Sequence, residues 1–175
     1  MIAAVHFRAP WGALLTTVSV ASTVLLAGAS ILSVSVMPPR LEFVRLAAGV
    51  LPLAVVLGCL PFMVRGYVVT ERELVIQRLG WTNRWPLAGL TAAEVDPDAL
   101  KKSMRLWGNG GLFSFCGWFR NKKLGLYRLF ATDPKRCVVL KFGPRTVVVT
   151  PDKPEEFVNE IRRRAHSFTT PQAPD

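Results

Sequence analysis

Residues 11–37, WGALLTTVSVASTVLLAGASILSVSVM, and residues 46–64, LAAGVLPLAVVLGCLPFMV, decide the architecture. Neither run holds a charged residue, and only PPRLEFVR at 38–45 parts them. At ~1.5 Å rise per residue, each is long enough as a helix to cross a hydrocarbon core of ~30 Å. A soluble domain of this length rarely sets two such runs back to back. The expected architecture is a membrane-anchored α+β chain in three parts. Residues 1–65 form a transmembrane helical hairpin with spans at about 11–37 and 46–64, residues 66–166 one small domain, and residues 167–175 a flexible tail. With 175 residues in all, the part beyond the hairpin suffices for a single core.

The formal charge of +10 divides into +3 up to Arg65 and +7 beyond it. Basic charge beside a bilayer favours anionic lipid headgroups and acidic partners over nucleic acid. Arg8 precedes the first span, and Arg40 and Arg45, offset by Glu42, lie between the spans. Arg65, Arg72, Arg78 and Arg84 follow the second. The positive-inside bias therefore places both termini in the cytoplasm, in a multi-pass protein of the cell (inner) membrane. The string LLAGAS at 25–30 resembles the cleavage end of a secretory signal, but unbroken apolar sequence to Met37 favours an intact span. Cys59, Cys116 and Cys137 lack metal-ligand spacing, and a bridge between the last two would need an oxidising compartment.

Within the spans, Ser19, Thr23 and Ala27 recur one turn apart, as do Ala54 and Gly58, which predicts close helix packing. Pro52 and Pro61 are expected to kink the second span. The absence of charge inside either span gives no transport path.

From Gly66 the pattern changes to short runs of β-formers: YVVT at 67–70, LVIQRL at 74–79, TNRWPL at 82–87 and LTAAEV at 90–95. Turns between them predict an antiparallel meander, closed on itself or packed on a second sheet. Asp96-Pro97 then predicts a short amphipathic helix with Leu100, Met104 and Trp107 on one face and Lys101, Lys102 and Arg105 opposite. Glu94, Asp96 and Asp98 read as turn and capping residues, not a calcium loop.

The distinctive stretch is WGNGGLFSFCGWFRNKK at 107–123. Its glycines lack the Gly-Lys-Ser/Thr of a phosphate loop, and Asn109-Gly110 is a tight-turn signal. Trp107, Gly108, Asn109, Gly110, Gly111 and Gly117 therefore form a structural loop. Arg120, Lys122, Lys123, Trp118, Phe119, Lys101, Lys102 and Arg105 form the candidate lipid or partner surface. The rings are expected to fill the core while the cations face lipid, where each is worth roughly 1 kcal/mol. Three more strands, at 126–132, 137–142 and 146–150, read as a second meander. A final helix follows, with an Asp152/Glu155 capping box, a buried stripe of Phe157, Val158 and Ile161, and a solvated Arg162-Arg163-Arg164 end.

About seven strands in two groups and one capping helix resemble a pleckstrin-homology (PH)-like barrel. Several motifs resemble those of bacterial PH-domain proteins: GYVVT at 66–70, WGNGGLF at 107–113 with GWFRN at 117–121, ATD at 131–133 and TPDKPEEF at 150–157. The resemblance implies a partly open barrel or sandwich of two sheets, plugged by the last helix, with no catalytic role. Phosphoinositide-binding PH domains carry a dense basic cluster on the first hairpin, where this chain offers only Arg78 and Arg84.

The expected function is a non-enzymatic scaffold or anionic-lipid sensor at the cytoplasmic face. Its expected partners are the bilayer, anionic headgroups and a membrane or cytoplasmic protein, with no cofactor, metal or nucleic acid. The alternatives are an accessory subunit of a transporter or envelope complex and, last, a membrane-bound enzyme. For the enzyme, His6 and His166 have no evident nucleophile or metal-ligand partner.

Overall fold

The computed structural model describes residues 4–167. Strand β1 (Val5–Arg8) leads into helix α1 (Ala13–Val36), which turns back through α2 (Glu42–Cys59). The two helices close on each other through Ser30, whose hydroxyl donates to the Gly49 carbonyl. A β-carbon at Gly49 would lie 2.8 Å from Val34 Cγ2, so glycine is what permits the approach. Of the small residues expected to do this work, Thr23 and Ala27 are half-buried, whereas Gly58 has nothing within 4 Å of such a β-carbon and Ser19 turns to the sandwich. The outward faces are bare, with 11% of the most apolar window of α1 buried and 6% of that of α2.

Pro61 ends the second helix instead of kinking it. Having no N–H to continue the ladder, it sits in a 3-10 turn, Leu60–Phe62. Strand β2 (Val64–Val69) starts at once, three residues before the start expected at Tyr67. Val5–Arg8, expected as a mere flank of the hairpin, pairs antiparallel with β2 from Val5↔Val69 to Arg8↔Gly66. The hairpin is thus an insertion between two adjacent strands of one sheet.

Strands β3 (Glu73–Arg78) and β4 (Thr82–Pro86) complete that sheet antiparallel, in the order β1-β2-β3-β4. The fourth run expected in this meander, 90–95, is corrected, since it follows the 3-10 turn Leu87–Gly89 and pairs with residues 138–141 in the second sheet. The second sheet contains β5 (Ala92–Val95), β6 (Met104–Gly110), β7 (Phe115–Asn121), β8 (Gly125–Ala131), β9 (Val138–Phe142) and β10 (Arg145–Val149). Its order is β5-β9-β10-β8-β7-β6. The second meander is corrected here, because β10 lies between β9 and β8 and runs parallel to β8. The cause is composition: Val147 and Val149 enter the main core while Val148 enters a second cluster on the opposite face. A strand apolar on both faces belongs in the middle of a covered sheet. No ladder joins the two sheets among the described residues, so the architecture is an unclosed sandwich.

The helix expected after Asp96 is also corrected. Residues 97–102 form turns, with Lys102 at φ 54°, and Met104–Gly110 is strand β6. Pairing with β7 from Met104↔Arg120 to Gly110↔Phe115 satisfies backbone groups that a one-turn helix would leave open. The turn still buries Ala99 with Leu100 packed beside it, over the outer face of the second sheet.

Helix α3 (Pro154–His166) buries Phe157, Val158 and Ile161 as expected, with the Phe157 ring 5.0 Å from Phe7 and 5.9 Å from Tyr67. The capping box does not form, because the Asp152 carboxylate accepts from the backbone N–H of Arg8 at 3.1 Å. Of the arginine run, Arg162 and Arg163 are exposed as expected, but Arg164 is not. Arg164 is 3% exposed and ion-pairs Glu160 at 2.5 Å, while Arg162 Nε donates to the Ala93 carbonyl at 3.0 Å. The expected tail lies, from 168 on, outside the described residues.

Candidate functional site at the junction of hairpin and sandwich

The first turns of α1 are held from two sides. Tyr67, fully buried, donates its hydroxyl to the Phe130 carbonyl at 2.7 Å and accepts from Thr150 N–H at 3.1 Å. Thr150 Oγ1 accepts from Thr132 N–H at 2.9 Å, and the Thr132 carbonyl takes the N–H of Gly12 at 3.0 Å. A β-carbon at Gly12 would lie 2.7 Å from Asp133 Oδ1. Burial drives the Tyr67 phenol well above its ordinary pKa, so it stays a neutral hydrogen-bonding group.

From the other side comes the turn between β6 and β7. Ser19 donates to the Gly111 carbonyl at 3.1 Å and accepts from Phe113 N–H at 2.9 Å, with the Trp11 ring 6.2 Å from Phe113. Ser114 reaches across to α2 and donates to the Phe62 carbonyl at 2.9 Å. Gly111 and Phe113 both have positive φ, 130° and 67°, which folds the turn tightly enough to touch both helix bases. Gly108 and Gly117 face each other across the ribbon, and a β-carbon on Gly117 would collide with the Trp107 carbonyl. The expected loop is corrected: Trp107, Gly108, Asn109 and Gly110 belong to β6 and Gly117 to β7, and it is the turn between them, with Gly111, that touches the base of the hairpin.

The ring assignment is corrected in part. Phe119 is buried at 8% exposure, but Trp107 is 78% exposed and Trp118 39%. The reason is position, since β6 is an edge strand and residues 104–108 are all exposed. Leu106 and Trp107 thus leave an apolar edge on the side of the hairpin, and exposed Met104 continues it toward the far end of the ribbon. A cavity of about 460 Å³ separates it from the end of α2, lined by Cys59, Phe62, Arg105, Trp107 and Asn109 among others.

Of the candidate cations Arg105 lines this cavity, and the others fall away from the junction. Arg120 pairs in register with Met104 at the far end of the β6–β7 ribbon, and Lys122 follows in the next turn. Strand rise puts them roughly 20 Å from the Phe115 end. Lys123 is taken by Asp96 at 2.5 Å and Lys101 by Asp98 at 2.9 Å, while Lys102 stands exposed in the same turn. Asp96 also accepts from Asp98 N–H, in line with its reading as a turn residue. Arg105 folds along its own strand toward the Gly108 carbonyl, 3.4 Å away.

Two arginines that sequence reasoning left unassigned lie at the junction itself. On β3, Leu74, Ile76 and Arg78 are all buried, and on β8 Arg128 alternates with Phe130. Period two therefore turns both guanidinium groups toward the interior, one from each sheet. Arg78 stacks over Phe130 at 4.7 Å, Trp81 at 5.2 Å and Phe62 at 6.0 Å. Arg128 stacks over Trp118 at 5.2 Å and the same Phe130 at 5.4 Å. Burial lowers the Arg78 pKa from its ordinary value, and the Arg128 charge acts in the same direction. That alternation was the available sign in the sequence.

Cys116 and Cys137 pack in clusters on opposite faces of the second sheet and are free thiols. Burial raises both thiol pKa values, that of Cys137 to about 12. Among the described residues no cluster of His, Cys, Asp and Glu gathers to hold a metal ion.

Residues 65–165 match the family described as the bacterial PH domain. The chain belongs to the bacterial PH domain family. No curated protein matches it. The bacterial PH domain here is a sandwich of two unclosed sheets with a C-terminal helix, preceded by a helical hairpin apolar enough to span a membrane. Membership supports an interaction domain, a family role that is typically non-catalytic. The residues that carried the resemblance, Tyr67, Thr132, Asp133 and Asp152 among them, prove to be those that fasten β1 and α1 to the sandwich.

Proposed function

We propose that this protein is a non-enzymatic interaction module, anchored in the cell membrane by its hairpin with the bacterial PH domain on the cytoplasmic side, and that it holds a protein partner there. The observation that carries this reading is the adjacency of two bare apolar surfaces: the hairpin, and the β6 edge with Trp107 at its centre. A hairpin with such outward faces is expected in lipid, since exposed patches beyond several hundred Å² are uncommon on soluble monomers. The free edge of β6 offers ladder hydrogen bonds and apolar side chains to an added strand of a partner.

Anchoring is tested by alkaline extraction of membranes; recovery of the full-length protein in the aqueous fraction would refute it. Sidedness needs an accessible reporter, and Cys116 at 2% exposure is not one. Lys122→Cys is exposed, and is expected to resist impermeant thiol reagents until cells are opened. For the partner, a photoreactive residue at Leu106 should give a discrete protein adduct in intact cells. Lipid adducts alone would count against the docking strand.

A second reading, anionic-lipid sensing, is favoured by Arg78 and Arg128. If the distal cations take part, reversing Arg120, Lys122 and Lys123 together should abolish salt-sensitive adhesion to anionic vesicles. Unchanged adhesion removes that surface from the reading.

A further inference from the structure

At buried Arg78 and half-buried Arg128 the interior leaves polar atoms without partners. Arg78 is 8% exposed, and the Nε of both arginines is buried without a hydrogen-bond acceptor. Among the described residues neither guanidinium has a carboxylate or carbonyl hydrogen-bond partner; beside them lie the aromatic rings and the Cys116 thiol, which burial keeps protonated and so supplies no counter-charge. Stacking on a ring satisfies the face of a guanidinium and leaves its in-plane N–H donors open. Cation–π contact contributes about 2 kcal/mol when desolvated, against several for burying a charge. Two like charges sharing the Phe130 ring add repulsion. A group that accepts several hydrogen bonds and carries negative charge would remove all three deficits at once.

We propose that Arg78 and Arg128 form an anion site for a phosphate ester, its oxygens received by the planar forks of the two guanidinium groups. The favoured source is the headgroup of an anionic phospholipid. Arg78 lies against Phe62, where α2 ends, and Phe62 also lines the cavity beneath Trp107. A headgroup entering there would leave its acyl chains along the bare face of α2. The lipid source rests on the membrane reading given above; the anion site itself does not.

The test uses the full-length protein in nanodiscs of phosphatidylcholine alone, of phosphatidylcholine with phosphatidylglycerol, and of phosphatidylcholine with added inorganic phosphate. Thermal unfolding and native mass are the readouts. Phosphatidylglycerol is expected to raise the unfolding temperature and to stay bound. Its affinity should fall about 10-fold or more in Arg78→Met and in Arg128→Met, the size of losing one charge-assisted hydrogen bond. Arg78→Lys, which keeps the charge but not the fork, should fall between. Stabilisation by inorganic phosphate with no preference for phosphatidylglycerol keeps the site and assigns it to a free phosphate. The proposal is overturned if neither anion affects the wild type, or if both act equally on folded Met variants. Should a Met variant not fold, the wild-type titrations and Arg78→Lys decide. Should the protein prove water-soluble, the membrane reading fails while phosphate titration in buffer still tests the site.

Discussion

Both ends of the sandwich bury arginine, and they treat it differently. At the α3 end, Arg164 meets Glu160 at 2.5 Å and Arg162 meets the Ala93 carbonyl, so each charge has a fixed acceptor of the protein's own. At the hairpin end, Arg78 and Arg128 have rings around them and no such acceptor among the described residues. A buried cation with its partner built in is part of the closure of the fold. One that lacks it carries a desolvation cost that an apolar side chain of the same volume would not.

The comparison can be broken most forcefully through the clamp that shapes the hairpin end. Gly117→Val forces a side chain into the Trp107 carbonyl at a φ of 145°, and should cost about 4 kcal/mol or abolish folding, read by thermal unfolding of the full-length protein. At the closed end, Glu160→Ala removes the acceptor of Arg164 and is expected to cost about 3 kcal/mol. Tyr67→Phe leaves Thr150 N–H and the Phe130 carbonyl without their shared hydroxyl and should cost about 1–2 kcal/mol in the same assay. Arg78→Met in the absence of anion should change stability by no more than about 1 kcal/mol, in either direction. A loss as large as that of Glu160→Ala would mean that the two ends do not differ.

Acid sharpens the contrast further. Hydrogen bonds from Arg163, and then from Arg164, hold the Glu160 carboxyl below its ordinary value of 4.5. The stability it contributes is therefore complete above the pKa of the unfolded chain and is lost as pH falls through the lowered folded value. Unfolding followed from pH 6 downward should show this slope, and Glu160→Gln should flatten it. Among the described residues Arg78 makes no ion pair with a carboxylate, so Arg78→Met should leave the slope as it is.

Sequence order was a poor guide wherever a segment's neighbour lay far along the chain. The apolar runs at 138–140 and 147–149 were visible as strands, but pairing them in sequence order missed that valines on both faces demand a central place. Val5–Arg8 showed nothing because four residues carry too little pattern, and their partner lies about sixty positions on. The turn at 111–114 was signalled by its glycines, but not that 107–110 before it would be strand, nor that Ser19 of the first helix would fill it. The chosen surface cations were legible only as charge. Whether a lysine stands free or is taken by Asp96 depends on contacts across the turn, as for Lys123.

By itself, the sequence determined that two apolar helices precede a β-rich basic domain ending in an amphipathic helix, because length, hydropathy and period are local properties of the chain. The tertiary structure alone decided that the hairpin is inserted between adjacent strands, that β6 is an edge, and that two inward arginines from different sheets meet over one phenylalanine ring. Such facts depend on which distant segments come together, and it is the burial created there that makes a missing counter-charge consequential.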